Sequence, residues 1–239
     1  MKRTLAFSDI HGNYKLWEAI KNYYDDNDTL IFLGDAIDRG DDGIKIMQEM
    51  FADARVSYIL GNHEELLLEY VNQGTEHQIS LGKQALLANG GLSTMTAFVN
   101  LSLQEQEELI DNLKNKTFYN IIYINKEKKN IFLSHAGCDI KTLFSVDNED
   151  LLWDRKHIAN TQSWDPKFKY WYIIHGHTPV QNVNIGKIIL EIDRYCGGHK
   201  INIDLGTPSS NTIAVLDLDT LKPTYFKEEE NGCINITTS

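Results

Sequence analysis

The stretch Leu30-Ile31-Phe32-Leu33-Gly34-Asp35-Ala36-Ile37-Asp38-Arg39-Gly40 decides how this chain folds. Its first four residues form an apolar run with the length of a strand buried on both faces. Gly34 ends the run, and charged residues follow. A glycine beside a charged residue lets the backbone turn sharply, so the side chain enters a cleft instead of continuing the strand. The same pattern recurs on either side. Leu5-Ala6-Phe7 leads into Ser8-Asp9-Ile10-His11-Gly12-Asn13, and Val56 to Leu60 leads into Gly61-Asn62-His63-Glu64. Between these runs, Leu16, Trp17, Ile20 and Tyr24 line one face of a helix over Tyr14 to Tyr24. Ile44 to Phe51 and Glu64 to Gln73 predict two further helices. The alternation predicts βαβαβ with parallel strands. All three polar segments then sit at the carboxyl ends of strands, where open α/β sheets bind ligands.

Beyond this core, residues 74–117 read as polar and helical, broken by Gly90-Gly91, and predict an insertion or cap. From Phe118 the pattern changes to short β runs: Tyr119–Ile124, Asn130–Ser134, Tyr170–Ile174, Lys187–Ile192, Ile201–Asp204 and Thr212–Leu216. These predict a second sheet. Residues 145–169 show no clear periodicity and read as loop. With no repeat and no low-complexity linker, residues 1–239 read as a single α/β domain.

The chain has 239 residues, 42% hydrophobic and 24% charged, with four prolines, a composition that suits a globular core and argues against extensive disorder. Its 23 basic and 34 acidic residues give a formal charge of -11. Such a field does not draw the chain to nucleic acid or to an anionic membrane. An anionic substrate needs local positive charge, which bound metal ions supply. Cys138, Cys196 and Cys233 have no CxxC spacing, so neither a disulfide framework nor a zinc ribbon is expected, and a reducing cytosol fits best. No segment reads as a secretory or membrane-spanning stretch, so the expected location is cytoplasmic.

The residues that carry chemistry are Asp9, His11, Asp35, Asp38, Arg39, Asn62, His63, His135 and His177, gathered in glycine-flanked segments that include Ser134-His135-Ala136 and His175-Gly176-His177-Thr178. Asp9 and His11, one residue apart, are expected on one face of an extended strand or its continuation. The ligand types are carboxylate, imidazole and one amide, without thiolate, which suits manganese, iron or zinc. A single zinc site needs three or four protein ligands; at least six candidates stand here, and Asp35 can bridge with both oxygens. Two cations about 3.5–4 Å apart would activate a water and steady the attacking and leaving oxygens of an in-line displacement.

These segments resemble the metallophosphoesterase signature of the phosphoprotein phosphatases: Asp9-x-His11-Gly12, Gly34-Asp35-x-x-Asp38-Arg39-Gly40 and Gly61-Asn62-His63-Glu64, with His135 and His177 later in the chain. The arrangement is similar to the compact bacterial and bacteriophage Ser/Thr phosphatases, which also show Asn89-Gly90-Gly91, Trp153-Asp154-Arg155 and Gly176-His177-Thr178-Pro179. The resemblance implies a calcineurin-like fold, two mixed sheets packed as a sandwich between helices. It implies that Asp9, His11 and Asp35 hold one divalent cation and that Asp35, Asn62, His135 and His177 hold a second, manganese foremost. It implies His63 as general acid oriented by Asp38, Arg39 and Arg155 as phosphate clamps, and direct attack by a metal-bridging hydroxide. Where the family commonly has Asp-Thr-Gly, this chain reads Asp204-Leu205-Gly206.

Other residues take ordinary readings. His175 is expected to pack or to support a ligand, and His77, His157 and His199 to lie on the surface or in loops. Glu64 is placed at a helix start, where a carboxylate suits the dipole. The cysteines are expected to be inert packing, and Lys126 to Lys129 a solvated turn. The expected activity is hydrolysis of phosphomonoesters, foremost on phosphorylated Ser or Thr of proteins. The alternative is hydrolysis of diadenosine polyphosphates, and a remote one is a non-catalytic binder on the same fold.

Overall fold

The computed structural model describes residues 2–71, 75–124, 128–159, 164–183 and 191–238. Its first third alternates as the apolar runs require: β1 (Thr4–Phe7), α1 (Tyr14–Tyr23), β2 (Thr29–Phe32), α2 (Gly43–Ala52), β3 (Val56–Tyr58) and α3 (Asn62–Val71). The three strands are parallel, with Thr4 opposite Thr29 and Leu30 opposite Val56. Their side chains alternate between two cores. Leu5, Phe7, Leu30 and Phe32 pack against Trp17, Ile20 and Met47 of the helices, whereas Ala6, Ile31 and Leu33 face the other way. A one-residue slip would exchange these sets, so burial fixes the register.

The segment read as polar and helical forms three helices, α4 (Glu76–Ala88), α5 (Leu92–Val99) and α6 (Leu103–Lys114). Gly90 and Gly91 separate the first two. Thr75 and Ser102 begin α4 and α6 with reciprocal capping boxes to Gln78 and Glu105. The second sheet follows: β4 (Tyr119–Ile124), β5 (Lys129–Ser134), then α7 (Asn148–Trp153), α8 (Lys156–Ala159), β6 (Trp171–His175), α9 (Val180–Val183), β7 (Asp193–Tyr195) and β8 (Lys200–Asn202). Its strand order is β4-β5-β6-β8-β7, with parallel and antiparallel pairs mixed.

The chain then returns to the first sheet through α10 (Thr207–Ser210), β9 (Thr212–Asp217), β10 (Pro223–Glu228) and β11 (Ile234–Thr238), giving the order β11-β10-β9-β1-β2-β3. This corrects the expectation that Thr212–Leu216 joins the second sheet: β9 pairs antiparallel with β1, Ala6 opposite Leu216. An apolar run records that a strand is buried, not which sheet buries it. The stretch 145–169 also differs from the loop expected of it, since it carries α7, α8 and a 3-10 turn over Pro166–Phe168. These pieces are too short to print a helical period; α7 is marked instead by Asp147, whose side chain accepts the Asp150 N–H at 2.9 Å. Of the expected strand Lys187–Ile192, residues 187–190 lie outside the described residues, as do Lys126 and the expected helix end at Gln73.

The sheets pack face to face through Ala6, Ile31, Leu33 and Leu216 on one side and Ile131, Leu133, Ile174 and Ile201 on the other. Phe132 and Ile173 cover the outer face of the second sheet with Leu143 and Leu151. The result is an α/β sandwich, helix–sheet–sheet–helix. Among the described residues no helix is long and apolar enough to cross a membrane.

Candidate metal centre

Both sheets send their functional side chains to one edge. Asp9 and His11 follow β1, Asp35 follows β2, Asn62 and His63 open α3, His135 follows β5, and His177 lies two residues past β6. The turns are tight. Asp9, His11, Asp35, Asp38, Arg39 and His177 all have positive φ, between 44° and 69°. Asp9 and His11 therefore do not continue the strand in extended form, as their spacing suggested. Left-handed backbone costs a non-glycine residue about 1–2 kcal/mol, so six such residues persist only because neighbouring turns hold one another. The Asp9 and His11 N–H groups donate to the carbonyls of Gly34 and Asp35, each at 3.0 Å, and Gly12 donates to Ala36 at 2.8 Å. Gly176 is required by close approach: a Cβ there would meet the side chains of Asp9 and Ser8.

The side chains converge in two groups, His11, Asp35 and His63, and Asp35, His135 and His177, each with its potential ligand atoms within 4.8 Å of one another. Asp35 belongs to both. Its Oδ2 lies 3.6 Å from His11 Nε2, 3.8 Å from His63 Nε2 and 3.4 Å from His135 Nε2. Asn62 Oδ1 joins the second group, 2.8 Å from His135 Nε2 and 2.9 Å from His177 Nδ1. Carbonyl oxygens only accept, so His11 Nδ1 donates to Ile37 and His135 Nδ1 to Leu33, each at 2.8 Å. Each ring is thereby fixed with Nε2 toward the centre, as supporting bonds orient metal-binding histidines. Asp9 stands outside both groups: its carboxylate accepts from the Ser8 hydroxyl and from the His177 N–H at 3.1 Å.

The electrostatics of this buried cluster suit a divalent cation. Burial pushes His11 down to about 3, against the pull of Asp35. Burial, then His135, pushes His177 down to about 2. Both rings are therefore neutral near pH 7, the form that ligates metals. Burial also disfavours the charged form of Asp35, but His135, His63 and His11 outweigh it and hold the carboxylate well below its usual range. For His135 burial again opposes charge, yet Asp35 and Asp9 raise it to about 10. Asp9 is lifted to about 6, by burial first and with Asp35 adding to it. Acidic oxygens around an imidazole driven to carry a proton make a place where positive charge is stabilised, and the oxygen and nitrogen donors match borderline divalent metals.

Beside the cluster lies a dyad. His63 Nδ1 is 2.5 Å from Asp38 Oδ2, both side chains being buried. Burial lowers the His63 pKa, but Asp35 and Asp38 outweigh it and raise it. Arg39 reaches in from the exposed rim, Nη1 2.8 Å from His11 Nε2 and Nη2 3.1 Å from His63 Nε2. Arg155 Nε donates to His177 Nε2 at 3.1 Å. The structure thus gathers His11, Asp35, Asp38, Arg39, Asn62, His63, His135, Arg155 and His177, with Asp9 gripping the His177 turn.

Several supports were not read from the sequence. Glu64 stands at a helix start, as the dipole favours, but it is also fully buried and accepts the N–H groups of Asp35 at 2.9 Å, Ala36 at 2.8 Å and Gly61 at 2.9 Å. Thr94 Oγ1 donates to Asp38 Oδ1 at 2.6 Å and accepts the Asp38 N–H at 2.9 Å. Ser93 Oγ donates to the Gly40 carbonyl at 2.8 Å, and Arg39 N–H to the Gly90 carbonyl at 2.9 Å. Helix α5 and the Gly90 turn before it therefore brace Asp38-Arg39-Gly40, and Asn89-Gly90-Gly91 is the one sequence signal for this.

His175 packs as expected: it contacts the His157 ring at 4.9 Å and meets the Tyr195 hydroxyl at 2.5 Å, outside both ligand groups. His157 is buried, not at the surface, because α8 lays it over the second sheet beside His175. His199 is half-buried, stacked between Trp164 and Tyr172 at 4.9 Å each, whereas His77 is exposed. Cys138 and Cys196 are buried and Cys233 is exposed.

The family model described as calcineurin-like phosphoesterase matches residues 2–202, and the chain belongs to that family. It is an enzyme of the metallophosphoesterase class. The asymmetrical bis(5'-nucleosyl)-tetraphosphatase PrpE of Oceanobacillus iheyensis is 26% identical over 227 residues, covering 79% of this chain and 82% of its own. Serine/threonine-protein phosphatase 2 of Escherichia coli K12 is 26% identical over 215 residues, covering 86% and 88%. A solved metallophosphoesterase from Sphaerobacter thermophilus shares the fold at a TM-score of 0.55 and 16% identity, covering 99% of this chain and 88% of that one.

Proposed function

We propose that the protein hydrolyses phosphomonoesters with two divalent cations, manganese foremost, and that its substrates are phosphorylated Ser and Thr side chains of proteins. His11 and Asp35 would hold one cation together with Asp9, whose carboxylate also accepts the His177 N–H, and Asp35, Asn62, His135 and His177 would hold the other. When bound, the cations would polarise the phosphoryl oxygens and make water nucleophilic at neutral pH. The chain's own residues do the rest. Arg39, beside His11 and His63, and Arg155, beside His177, would grip phosphate oxygens with planar guanidinium groups.

The observation that carries the phosphomonoesterase reading is the dyad at 2.5 Å between His63 and Asp38. Asp38 keeps the His63 proton on Nδ1 and favours the charged ring, leaving Nε2–H to protonate a leaving group. A serine or threonine alkoxide is a poor leaving group and depends on that proton. A nucleotide phosphate leaves as a stabilised anion and depends on it little. The second reading, hydrolysis of a dinucleoside polyphosphate, is supported by the tetraphosphatases among the relatives.

One panel tests both. Manganese-loaded wild type and His63→Asn are assayed on a phosphoserine peptide and on diadenosine tetraphosphate, with bound metal measured in each. Turnover of the phosphopeptide should fall by roughly 10²–10⁴-fold while metal content holds. Unchanged turnover of the phosphopeptide would reject His63 as the acid. Hydrolysis of the dinucleotide alone would establish the second reading.

A further inference from the structure

Next to the catalytic edge, helices α3, α4, α5 and α6 enclose an open groove of about 940 Å³. Leu68, Phe98, Val99, Leu103 and Ile110 form the apolar part of its lining. Val99 and Leu103 are left 57% and 79% exposed, far more than folding of the helices requires. Along α6, Leu103, Glu107, Ile110 and Lys114 recur at three- and four-residue spacing on the side facing the groove. The lining also carries four carboxylates, Glu65, Glu69, Glu107 and Asp111, against the one ammonium of Lys114. Glu65 and Glu69 lie one helical turn apart, and Glu69 is raised by burial and by Glu65, so these acids crowd one another. A cationic side chain seated there would relieve the repulsion, and an apolar side chain beside it would cover the exposed apolar surface.

The groove also reaches the catalytic edge. Glu65 lies two residues after His63, and Trp153 Nε1 donates to Glu65 Oε2 at 2.6 Å. The Trp153 ring stands edge-on to His177, 6.2 Å between centroids.

We propose that this groove docks a basic, amphipathic segment of the phosphoprotein substrate, its apolar side chains on Leu68, Phe98, Val99, Leu103 and Ile110 and its Lys or Arg residues on the acidic rim. The proposal rests on the phosphoprotein reading of the active site. Apolar anchors give such a segment its affinity, and the rim gives the selection. A polyanionic dinucleotide would be repelled by the same rim.

Binding and turnover are measured separately. A fluorescent, non-phosphorylated helical peptide of alternating leucine and lysine faces is titrated against the full chain by anisotropy, for wild type, Leu103→Glu and the double variant Glu107→Lys with Asp111→Lys. These residues are exposed, so the fold tolerates the changes, and turnover of p-nitrophenyl phosphate should stay at the wild-type level. Each variant should weaken peptide binding about tenfold or more, and added salt should weaken it in the wild type. Likewise kcat/KM should be about tenfold higher for a phosphoserine peptide carrying the basic segment than for one carrying an acidic segment, and the variants should erase that difference. Equal kcat/KM for the two phosphopeptides, or peptide binding that ignores the variants, overturns the groove while leaving the phosphatase reading intact. Absence of any phosphopeptide turnover alongside dinucleotide hydrolysis overturns the phosphatase reading itself. Sedimentation of the free chain covers the other occupant: a dimer that Leu103→Glu dissociates would assign the groove to a second copy and overturn the proposal.

Discussion

A carboxylate sealed from water, with three backbone N–H groups aimed at its two oxygens, is stable only while all three bonds persist. Glu64 is in that position, and its partners belong to the turns after β2 and β3. Burial raises its pKa, with Asp35 adding to the rise, while the Asp35 and Ala36 N–H groups oppose it. Glu64→Gln keeps the shape but turns an amide N–H₂ toward a backbone donor. The expected cost is about 1.5–3 kcal/mol, the range for a hydrogen bond to a charged group, read as a lower denaturation midpoint in urea. Manganese affinity should fall with it, because Asp35 is displaced; stability and affinity both at wild-type values would show that Glu64 is no strut. At this scale the sequence spoke clearly wherever a candidate ligand stood beside a glycine in a short motif, as with Asp35 after Gly34 and His177 after Gly176. It was silent on Glu64 and Thr94, whose importance comes from what the tertiary structure sets opposite them. It also could not show that Asp9, two residues from His11, turns its carboxylate to the His177 N–H.

Helix α5 meets the candidate site at Asp38. Thr94 both donates to and accepts from Asp38, so one hydroxyl fixes the residue that orients His63. Thr94→Val fills the same space without the hydroxyl and leaves a buried oxygen and N–H of Asp38 unpaired. Phosphopeptide turnover should fall about 10–100-fold, the usual effect of removing a supporting bond. Bound manganese should be unchanged, and Thr94→Ser should restore most of the rate. A Thr94→Val enzyme of wild-type kcat would separate α5 from the proposed acid, His63. Elements with a full helical period or a buried run, such as α1 and β2, were legible in sequence. α7 and α8 were not, being only six and four residues long. The placement of β9 was not either, because both faces of that strand are buried and alternation carries no record of its partner.

The first and second sheets share one charged cluster at neighbouring edges. The first sheet brings Asp35, and the second brings His135 and His177. Asp9, Asp35, Glu64 and Asp204 are each 2% exposed or less, and burying so many carboxylates together costs free energy unless positive charge joins them. Burial raises Asp204 well above its usual range, and Asp9 adds to it. A cation that binds only the folded chain stabilises it by about 2.7 kcal/mol at 100 times its Kd, or roughly 5–10 °C in Tm for a chain of this length. Chelation should therefore lower Tm by that amount, and manganese should restore it. Because Asp35 lies in both ligand groups, Asp35→Asn should abolish the manganese-induced rise and lower metal content from two ions toward none. Loss of a single ion, with half the rise retained, would mean that the two sheets hold their cations separately and that Asp35 does not join them.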